Sequence, residues 1–139
     1  MKKDFIKELK WRGMLNDMIP GTEEYLRSKK TVGYIGFDPT SDSLHIGSLV
    51  PIFILKHFQN YGHTPVVLLG GATGMIGDPS GKSDERNLLD KKVLDYNEKK
   101  LTKQFEKFLD FKSNKLNKAI LVNNYNSVSY THLTLPTIV

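Results

Sequence analysis

Two glycine-rich segments, each placed directly after an apolar run, constrain the fold of this chain most strongly. The first run ends at Phe37 and is followed by a turn-rich stretch at residues 38–43. The second covers residues 65–69, and five glycines follow it between positions 70 and 81. A folded domain keeps so many glycines mainly where the backbone takes positive φ or must approach a ligand closely. Both segments are therefore expected to border a binding site.

The apolar periodicity predicts helices and strands in alternation. Strands are expected at residues 31–37, 65–69 and 119–122, and amphipathic helices at about 5–15, 44–60 and 91–111, with a short helix starting at Thr22. Asp42 or Ser43 is the expected N-cap of the helix at 44–60, and Gly62 is the residue expected to end it. This order is typical of βαβ units, so we predict an α/β fold with a parallel sheet and helices on its faces.

Composition narrows the class of protein only loosely. The 139 residues suffice for one domain, and the net charge of +5 suits a nucleic-acid partner without requiring one. The lysines at 91–92, 99–100, 112, 115 and 118 are expected to form a solvated face. The lack of cysteine excludes a disulfide framework and a Cys-based zinc site. Without a signal-peptide pattern or a long apolar stretch, a cytoplasmic location and no membrane partner are expected.

The first segment has the chemistry of a phosphate site. It joins a strand to a helix, and the unpaired N–H groups at a helix N-terminus attract anions. His45 is expected in the first helical turn, within reach of phosphate oxygens, and Gly47 would allow a ring or backbone to approach closely. The alternative interpretation is a capped surface helix with an incidental histidine.

The second segment does not fit the two commonest nucleotide motifs. A Walker A motif would need glycine at position 76, which is Ile76. The dinucleotide pattern fails because the spacing is Gly71-x-x-Gly74-x-x-Gly77. We therefore predict neither a P-loop NTPase nor a nicotinamide-dependent enzyme.

Both segments resemble those of a known enzyme family. Asp38-Pro-Thr-x-x-x-Leu-His45-Ile-Gly resembles the His-Ile-Gly-His signature of class I aminoacyl-tRNA synthetases, with Ser48 in place of the last histidine. The stretch GGATGMIGDPSGK at 70–82 is similar, nearly residue for residue, to the tyrosyl-tRNA synthetase loop. The resemblance runs without gaps from about residue 31 to 89. It implies a Rossmann-like catalytic domain of a bacterial enzyme, specific for tyrosine rather than tryptophan, of which this chain is the first part.

The resemblance also implies roles for individual residues. The implied tyrosine-binding residues are Tyr34, Gly36, Asp38 and Asp78. The implied ATP-binding residues are Asp38, Thr40, His45, Gly47 and Ser48. The implied catalytic residues, which would act on phosphate charge, are Thr40, His45, Lys82 and Arg86. Ser48 can donate a hydrogen bond but cannot carry positive charge, so altered ATP contacts are expected there.

The implied reaction has ATP, with Mg²⁺, and L-tyrosine as substrates, and tRNA(Tyr) as acceptor. A homodimer is expected for the full-length protein, and no protein-ligated metal. Two alternatives stay open. One is a synthetase-like paralogue that binds tyrosine or nucleotide without charging tRNA, and the other is a basic RNA-binding module.

The last residues do not fit this resemblance. From Val128 to Thr137 the sequence matches one reading frame of a transposon-type sequencing adapter, and Ser127 fits the same frame. We therefore expect residues 1–126 to be the N-terminal part of the catalytic domain and 127–139 to be a non-native tail. The lysine loop, the second half of the tyrosine pocket and the anticodon-binding domain are not recognised in the 139 residues. The chain alone is therefore expected to be inactive or nearly so.

Overall fold

The computed structural model describes residues 4–39, 43–70 and 84–123, with the backbone alone for 84–90. Eight elements follow one another in these ranges: α1 (Phe5–Trp11), α2 (Thr22–Ser28), β1 (Val32–Phe37), a 3₁₀ turn (Ile46–Ser48), α3 (Leu49–Asn60), β2 (Thr64–Leu69), α4 (Asp84–Phe105) and β3 (Ile120–Asn123). The predicted alternation of strands and helices is thereby confirmed. The predicted tail, residues 127–139, lies outside the described residues.

The three described strands form one parallel sheet in the order β1-β2-β3. Ile35 pairs with Val67, and Val67 with Leu121, so these residues share one face of the sheet. The connection from β1 to β2 contains α3, the connection from β2 to β3 contains α4, and both run in the same direction across the sheet. Because crossover connections between parallel strands are right-handed, α3 and α4 cover the same face. The architecture is the predicted α/β, Rossmann-like arrangement.

The main core lies between this sheet face and the two helices. Its buried side chains come from β1, α3, β2, α4 and the segment before β3: Phe37, Ile52, Leu55, Val67, Leu69, Leu101, Phe105, Leu109 and Ala119. Phe37 and Phe105 meet edge to face with ring centroids 4.9 Å apart. This contact seats α4 on the last residue of β1.

A second core joins the N-terminal helices to the end of α3. Phe5 and Phe58 pack edge to face, with centroids 5.1 Å apart, among Ile6, Leu9 and Leu26. The Asp4 carboxylate caps α1 by accepting a hydrogen bond from the Ile6 N–H at 2.9 Å. The two N-terminal helices are thus held against α3 rather than against the main core.

Several predicted helix ends were wrong. The first helix ends at Trp11, which is 78% exposed, rather than continuing to residue 15. The helix predicted from residue 44 begins at Leu49, after the 3₁₀ turn, so the cap predicted at Asp42 or Ser43 is wrong as well.

At the other boundaries the outcome was mixed. α4 begins at Asp84 instead of residue 91 and ends at Phe105 instead of residue 111, and a series of turns follows it. The prediction for Gly62 is confirmed, because it follows the C-cap of α3 with φ +91°.

A network of amide groups ties the end of α3 to the segment before β3. The Gln59 Nε2 donates to the carbonyl oxygens of Asp110 at 2.8 Å and Asn117 at 3.2 Å. The Gln59 Oε1 accepts from the Asp110 N–H at 3.0 Å. Asn117 returns a bond from its Nδ2 to the Gln59 carbonyl at 2.8 Å. Gln59 is buried, so each of these groups depends on its partner for hydrogen bonding.

Replacing Gln59 with leucine is expected to lower the free energy of unfolding by about 2–3 kcal/mol, because it leaves backbone groups of the 110–117 segment unpaired. Urea unfolding followed by circular dichroism measures this change. The matched control is Asn60→Leu at the exposed neighbouring position, which is expected to change stability by less than about 0.5 kcal/mol. Equal losses in both variants would contradict the network's importance.

A buried histidine joins the beginnings of β1 and β2. His63 is 4% exposed and stacks on Phe58, with centroids 4.6 Å apart. Its Nδ1 accepts a hydrogen bond from the Thr31 N–H at 3.1 Å, which requires this nitrogen to be unprotonated. Burial, followed by the positive charge of Lys30, lowers the pKa of His63, and Asp4 opposes this shift. The fold therefore holds His63 in its neutral form.

This burial predicts a loss of stability in mild acid. The folded-state pKa of His63 lies below the unfolded value of about 6.5, so the unfolded chain binds more protons as the pH falls through that range. Stability should be constant above about pH 7.5 and decline towards pH 5.5. His63→Asn, which offers an oxygen acceptor without a titrating ring, should flatten the decline in urea-unfolding free energy.

His57 provides the control for this prediction. Burial and the nearby Arg12 also lower the pKa of His57, so His57→Asn should remove a separate part of the same decline. If His63→Asn keeps the full pH dependence of the original chain, the assignment to His63 is wrong.

Candidate functional site

The structure brings the starts of the two glycine-rich segments together. β1 and β2 are parallel neighbours that end at Phe37 and Leu69, and the Gly70 N–H donates to the Phe37 carbonyl at 2.8 Å. Asp38 follows β1 directly and is exposed. Ligands of open parallel sheets bind at the carboxyl ends of the strands, and this edge is where both segments begin.

His45 has a different structural role from the one predicted. It precedes the 3₁₀ turn as its N-cap, and its Nδ1 accepts a hydrogen bond from the Gly47 N–H at 3.0 Å. This bond places the hydrogen of the neutral imidazole on Nε2. The ring is exposed, so it presents an N–H donor of the kind that binds a phosphate oxygen.

Gly47 is required by His45 itself. A Cβ atom at position 47 would lie 2.8 Å from Cε1 and 3.0 Å from Nδ1 of the imidazole. Any side chain at this position would therefore displace the ring from its capping position. The group that lies close to Gly47 in the structure is the histidine two residues earlier, and the approach of ATP to this glycine stays a prediction.

Tyr34 and Gly36 line a cavity of about 780 Å³. They alternate along β1 with Ile35 and Phe37, which belong to the main core, so they lie on the other face of the strand. The remaining lining residues come from α1, the segment between α1 and α2, the start of α2, α3 and Ile35 of β1, and include Leu9, Met14, Met18, Pro20 and Ile54. The volume is within the usual range for small-molecule sites, and the walls are mostly apolar.

No packing requirement in the described protein explains the glycine at position 36. A Cβ atom built there would meet only the Leu68 carbonyl oxygen, at 4.0 Å, which is an ordinary contact. Glycine inside a strand costs conformational entropy and often marks a site where something approaches the backbone closely. Its retention here is consistent with a ligand occupying the adjoining cavity.

The other predicted site residues are only partly described. Ser48 is half-buried at the start of α3 and makes no capping hydrogen bond with its side chain. Thr40, Asp78 and Lys82 lie outside the described residues. Arg86 belongs to the backbone of α4, and nothing is described of its side chain.

Two polar residues near the site were missed by the sequence analysis. The Asn97 Nδ2 donates to the Pro39 carbonyl at 3.0 Å, and the Gln104 Oε1 accepts from the Leu44 N–H at 2.9 Å. Asn97 is only 5% exposed. The signal that could have revealed it is its spacing, four and eight residues before the core residues Leu101 and Phe105.

Two further sequence predictions concern solvent exposure and membrane spans. The seven lysines predicted to form a solvated face are all exposed: Lys91, Lys92, Lys99, Lys100, Lys112, Lys115 and Lys118. Within residues 4–39, 43–70 and 84–123, no helix combines the length and apolar character needed to cross a membrane.

Known protein sequences similar to this chain are tRNA synthetases of one family. The family model for class I tRNA synthetases (W and Y) matches residues 27–135. A tyrosine–tRNA ligase of Bacteroides fragilis is 59% identical over 123 residues, which are 88% of this chain and 29% of that protein. The Flavobacterium psychrophilum tyrosine–tRNA ligase is 59% identical over 124 residues, with coverage of 89% and 29%. The chain thus spans less than a third of the length of these relatives.

Solved structures agree with this result. The C-terminally truncated mitochondrial tyrosyl-tRNA synthetase of Coccidioides posadasii superimposes with a TM-score of 0.68 and 30% identity, covering 95% of this chain and 38% of that one. The corresponding Aspergillus nidulans structure also gives 0.68, at 26% identity and with coverage of 95% and 40%. With its parallel sheet, paired loop starts and family match over residues 27–135, this chain belongs to the class I tRNA synthetases of the tryptophan and tyrosine group.

Proposed function

We propose that this chain forms the tyrosine- and ATP-binding part of a tyrosine–tRNA ligase. The observation that carries the proposal is that Tyr34 and Gly36 line the same cavity. They lie on β1, the strand that ends directly before the segment resembling the His-Ile-Gly-His signature. The identity of 59% to bacterial tyrosine–tRNA ligases supports it. The enzyme would join tyrosine to ATP as tyrosyl-adenylate and then transfer tyrosine to tRNA(Tyr).

Tyrosine recognition would depend on polar groups at the end of an apolar pocket. The Tyr34 hydroxyl is suited to bind the substrate phenol, and Gly36 leaves space for the ring. A site that hydrogen-bonds a substrate hydroxyl strongly rejects the analogue that lacks it, because buried polar groups lose their partners. Asp38 and Asp78 would bind the amino-acid end, with the Asp78 carboxylate accepting from the ammonium group.

Activation needs no protein nucleophile. The tyrosine carboxylate would attack the α-phosphorus of ATP, form the P–O bond of the adenylate and expel pyrophosphate with its Mg²⁺. Four side chains are proposed to stabilise the charge that develops on the phosphates: Thr40, His45, Lys82 and Arg86. Donors positioned in advance lower the barrier because they need no reorganisation as the charge develops.

ATP would also contact Gly47 and Ser48. Ser48 stands where the family signature has its last histidine, so this contact is a neutral hydrogen bond. Outside this site we propose tRNA(Tyr) as the acceptor, a homodimer as the full-length assembly and the cytoplasm as the location.

The direct test uses a chimera. The aligned residues of this chain replace the matching 123 residues of the Bacteroides fragilis tyrosine–tRNA ligase, and tyrosine-dependent exchange of pyrophosphate into ATP is measured. We expect exchange within about tenfold of the unmodified ligase, equivalent to about 1.4 kcal/mol in the barrier.

Two results would contradict the proposal. A folded chimera that binds tyrosine without exchange would favour the non-catalytic paralogue. A chimera that binds tRNA regardless of tyrosine or ATP would favour the RNA-binding module. The 139-residue chain alone is expected to show no exchange above background, and measurable tyrosyl-adenylate from it would contradict that prediction.

Gly36→Val in the chimera separates ligand binding from folding. The added side chain should enter the cavity and raise the KM for tyrosine by about tenfold or more, while a β-branched residue leaves the strand as stable or more so. The measurements are exchange kinetics and the melting temperature. Val32→Ile, an exposed position on the same face of β1, is the control and should change neither. An unchanged KM for Gly36→Val would show that the cavity does not bind tyrosine.

We also propose that residues 127–139 are a translated adapter, on the strength of the ten-residue match to its reading frame. The family match extends to residue 135, so sequencing of the source locus past the codon for Asn126 is the deciding test. A frame that continues differently supports the proposal, and a genome that encodes Val128 to Val139 contradicts it.

A further inference from the structure

Two amide side chains of α4 bind the two ends of the signature loop, defined here as residues 38–45. At its start, the Asn97 Nδ2 donates to the Pro39 carbonyl at 3.0 Å. At its end, the Gln104 Oε1 accepts from the Leu44 N–H at 2.9 Å. Of this loop the structure describes residues 38–39 and 43–45, and both bonds lie within these parts.

The two bonds are matched to the polarity of the loop backbone. Pro39 is buried and offers only a carbonyl, so it needs a donor, which Asn97 supplies. Leu44 offers an N–H outside any helix or strand, and Gln104 supplies an acceptor for it. A buried backbone group that lacks a partner costs roughly 1–3 kcal/mol, which applies in full to Pro39 and in part to the half-buried Leu44, so both bonds favour one loop position over others.

The helix that carries these amides is itself firmly placed. Asn97, Leu101, Gln104 and Phe105 are spaced by four, three and one residues, which puts them on one face of α4. Leu101 is 2% exposed and Phe105 is fully buried against Phe37, the residue before Asp38. The position of the loop relative to the main core is therefore held by the hydrogen bonds of Asn97 and Gln104. The contact between Phe37 and Phe105 holds the strand end from which the loop begins.

We propose that Asn97 and Gln104 are positioning residues for the activation step, acting through the signature loop on Asp38 and His45. The proposal rests on the function proposed above. Neither residue touches substrate, and their effect is to keep the loop at the distance and angle that phosphate transfer requires. Small displacements of groups that bind the transition state reduce the rate strongly, while ground-state binding elsewhere is unaffected.

The first experiment measures the anchor itself in the 139-residue chain. Amide hydrogen exchange of Leu44 is followed by NMR in the original chain and in three variants. Gln104→Met, which keeps the size and loses the acceptor, should speed exchange at Leu44 by about tenfold or more. Gln104→Glu, which keeps an acceptor oxygen, should retain most of the protection. Lys103→Met, at the exposed neighbouring position, is the control and should change nothing.

The second experiment measures the consequence for catalysis in the chimera. Gln104→Met and Asn97→Ala should each lower the kcat of tyrosine-dependent exchange by about tenfold, the equivalent of one hydrogen bond of about 1.4 kcal/mol. The KM for tyrosine should stay within about twofold in Gln104→Met, which releases the His45 end of the loop, and should rise in Asn97→Ala, which releases the end next to Asp38. The transfer of tyrosine from preformed adenylate to tRNA should stay within about twofold in both variants. Gln104→Glu should recover exchange to within about threefold.

The outcomes separate this proposal from the function on which it rests. Unchanged Leu44 exchange in Gln104→Met overturns the anchor, whatever the chimera does. A fall in activation, transfer and tyrosine binding together, in proportion to lost folded protein, shows a merely structural role and also overturns it. An inactive unsubstituted chimera contradicts the proposed function, and the Leu44 exchange then still decides whether the anchor exists.

Discussion

The packing of α4 against the end of β1 is the contact on which the rest of the site depends. Phe105 is fully buried and meets Phe37 edge to face at 4.9 Å. Since Phe37 is the last residue of β1, this contact holds the end of the strand against α4, directly before Asp38. Residues 38–39 follow the strand directly, and the two amides of α4 bind the backbone at Pro39 and at Leu44. One helix thereby both closes the core and orients the loop above it.

The two faces of β1 have different surroundings. Ile35 and Phe37 pack against the main core, and Tyr34 and Gly36 line the cavity, which Ile35 also borders. Because successive side chains of a strand point to opposite faces, one short strand contributes to both the core and the cavity. In the 3₁₀ turn, His45 caps the backbone through Nδ1, and its ring is exposed. Gly47 leaves room for the His45 ring in its capping position, because a Cβ atom at position 47 would displace the ring.

The strands and their order were predictable, and the boundaries of the helices were not. Runs of β-branched residues between turn signals identify strands locally, and the helices between them imply parallel pairing. Helix ends depend on which groups satisfy the terminal N–H and C=O groups. A capping residue at 42 or 43 suggested a helix from 44, whereas the Gly47 N–H donates to the His45 Nδ1 and a 3₁₀ turn comes first. Trp11 has the spacing of a core residue, but it is exposed at the end of α1, where the Arg12 guanidinium lies 5.2 Å from the centre of its ring.

By itself, the sequence determined the parallel α/β architecture, the two glycine-rich segments and the family to which they belong, since each is encoded in local spacing and residue type. Only the tertiary structure decided which distant residues complete the site. Asn97 lies 58 residues from Pro39 in the sequence, and Gln104 lies 60 residues from Leu44. The sequence around each amide does not identify the backbone group that it binds. Such pairs form only after α4 has packed on the sheet, because the burial of Leu101 and Phe105 brings the amides within hydrogen-bonding distance of the loop.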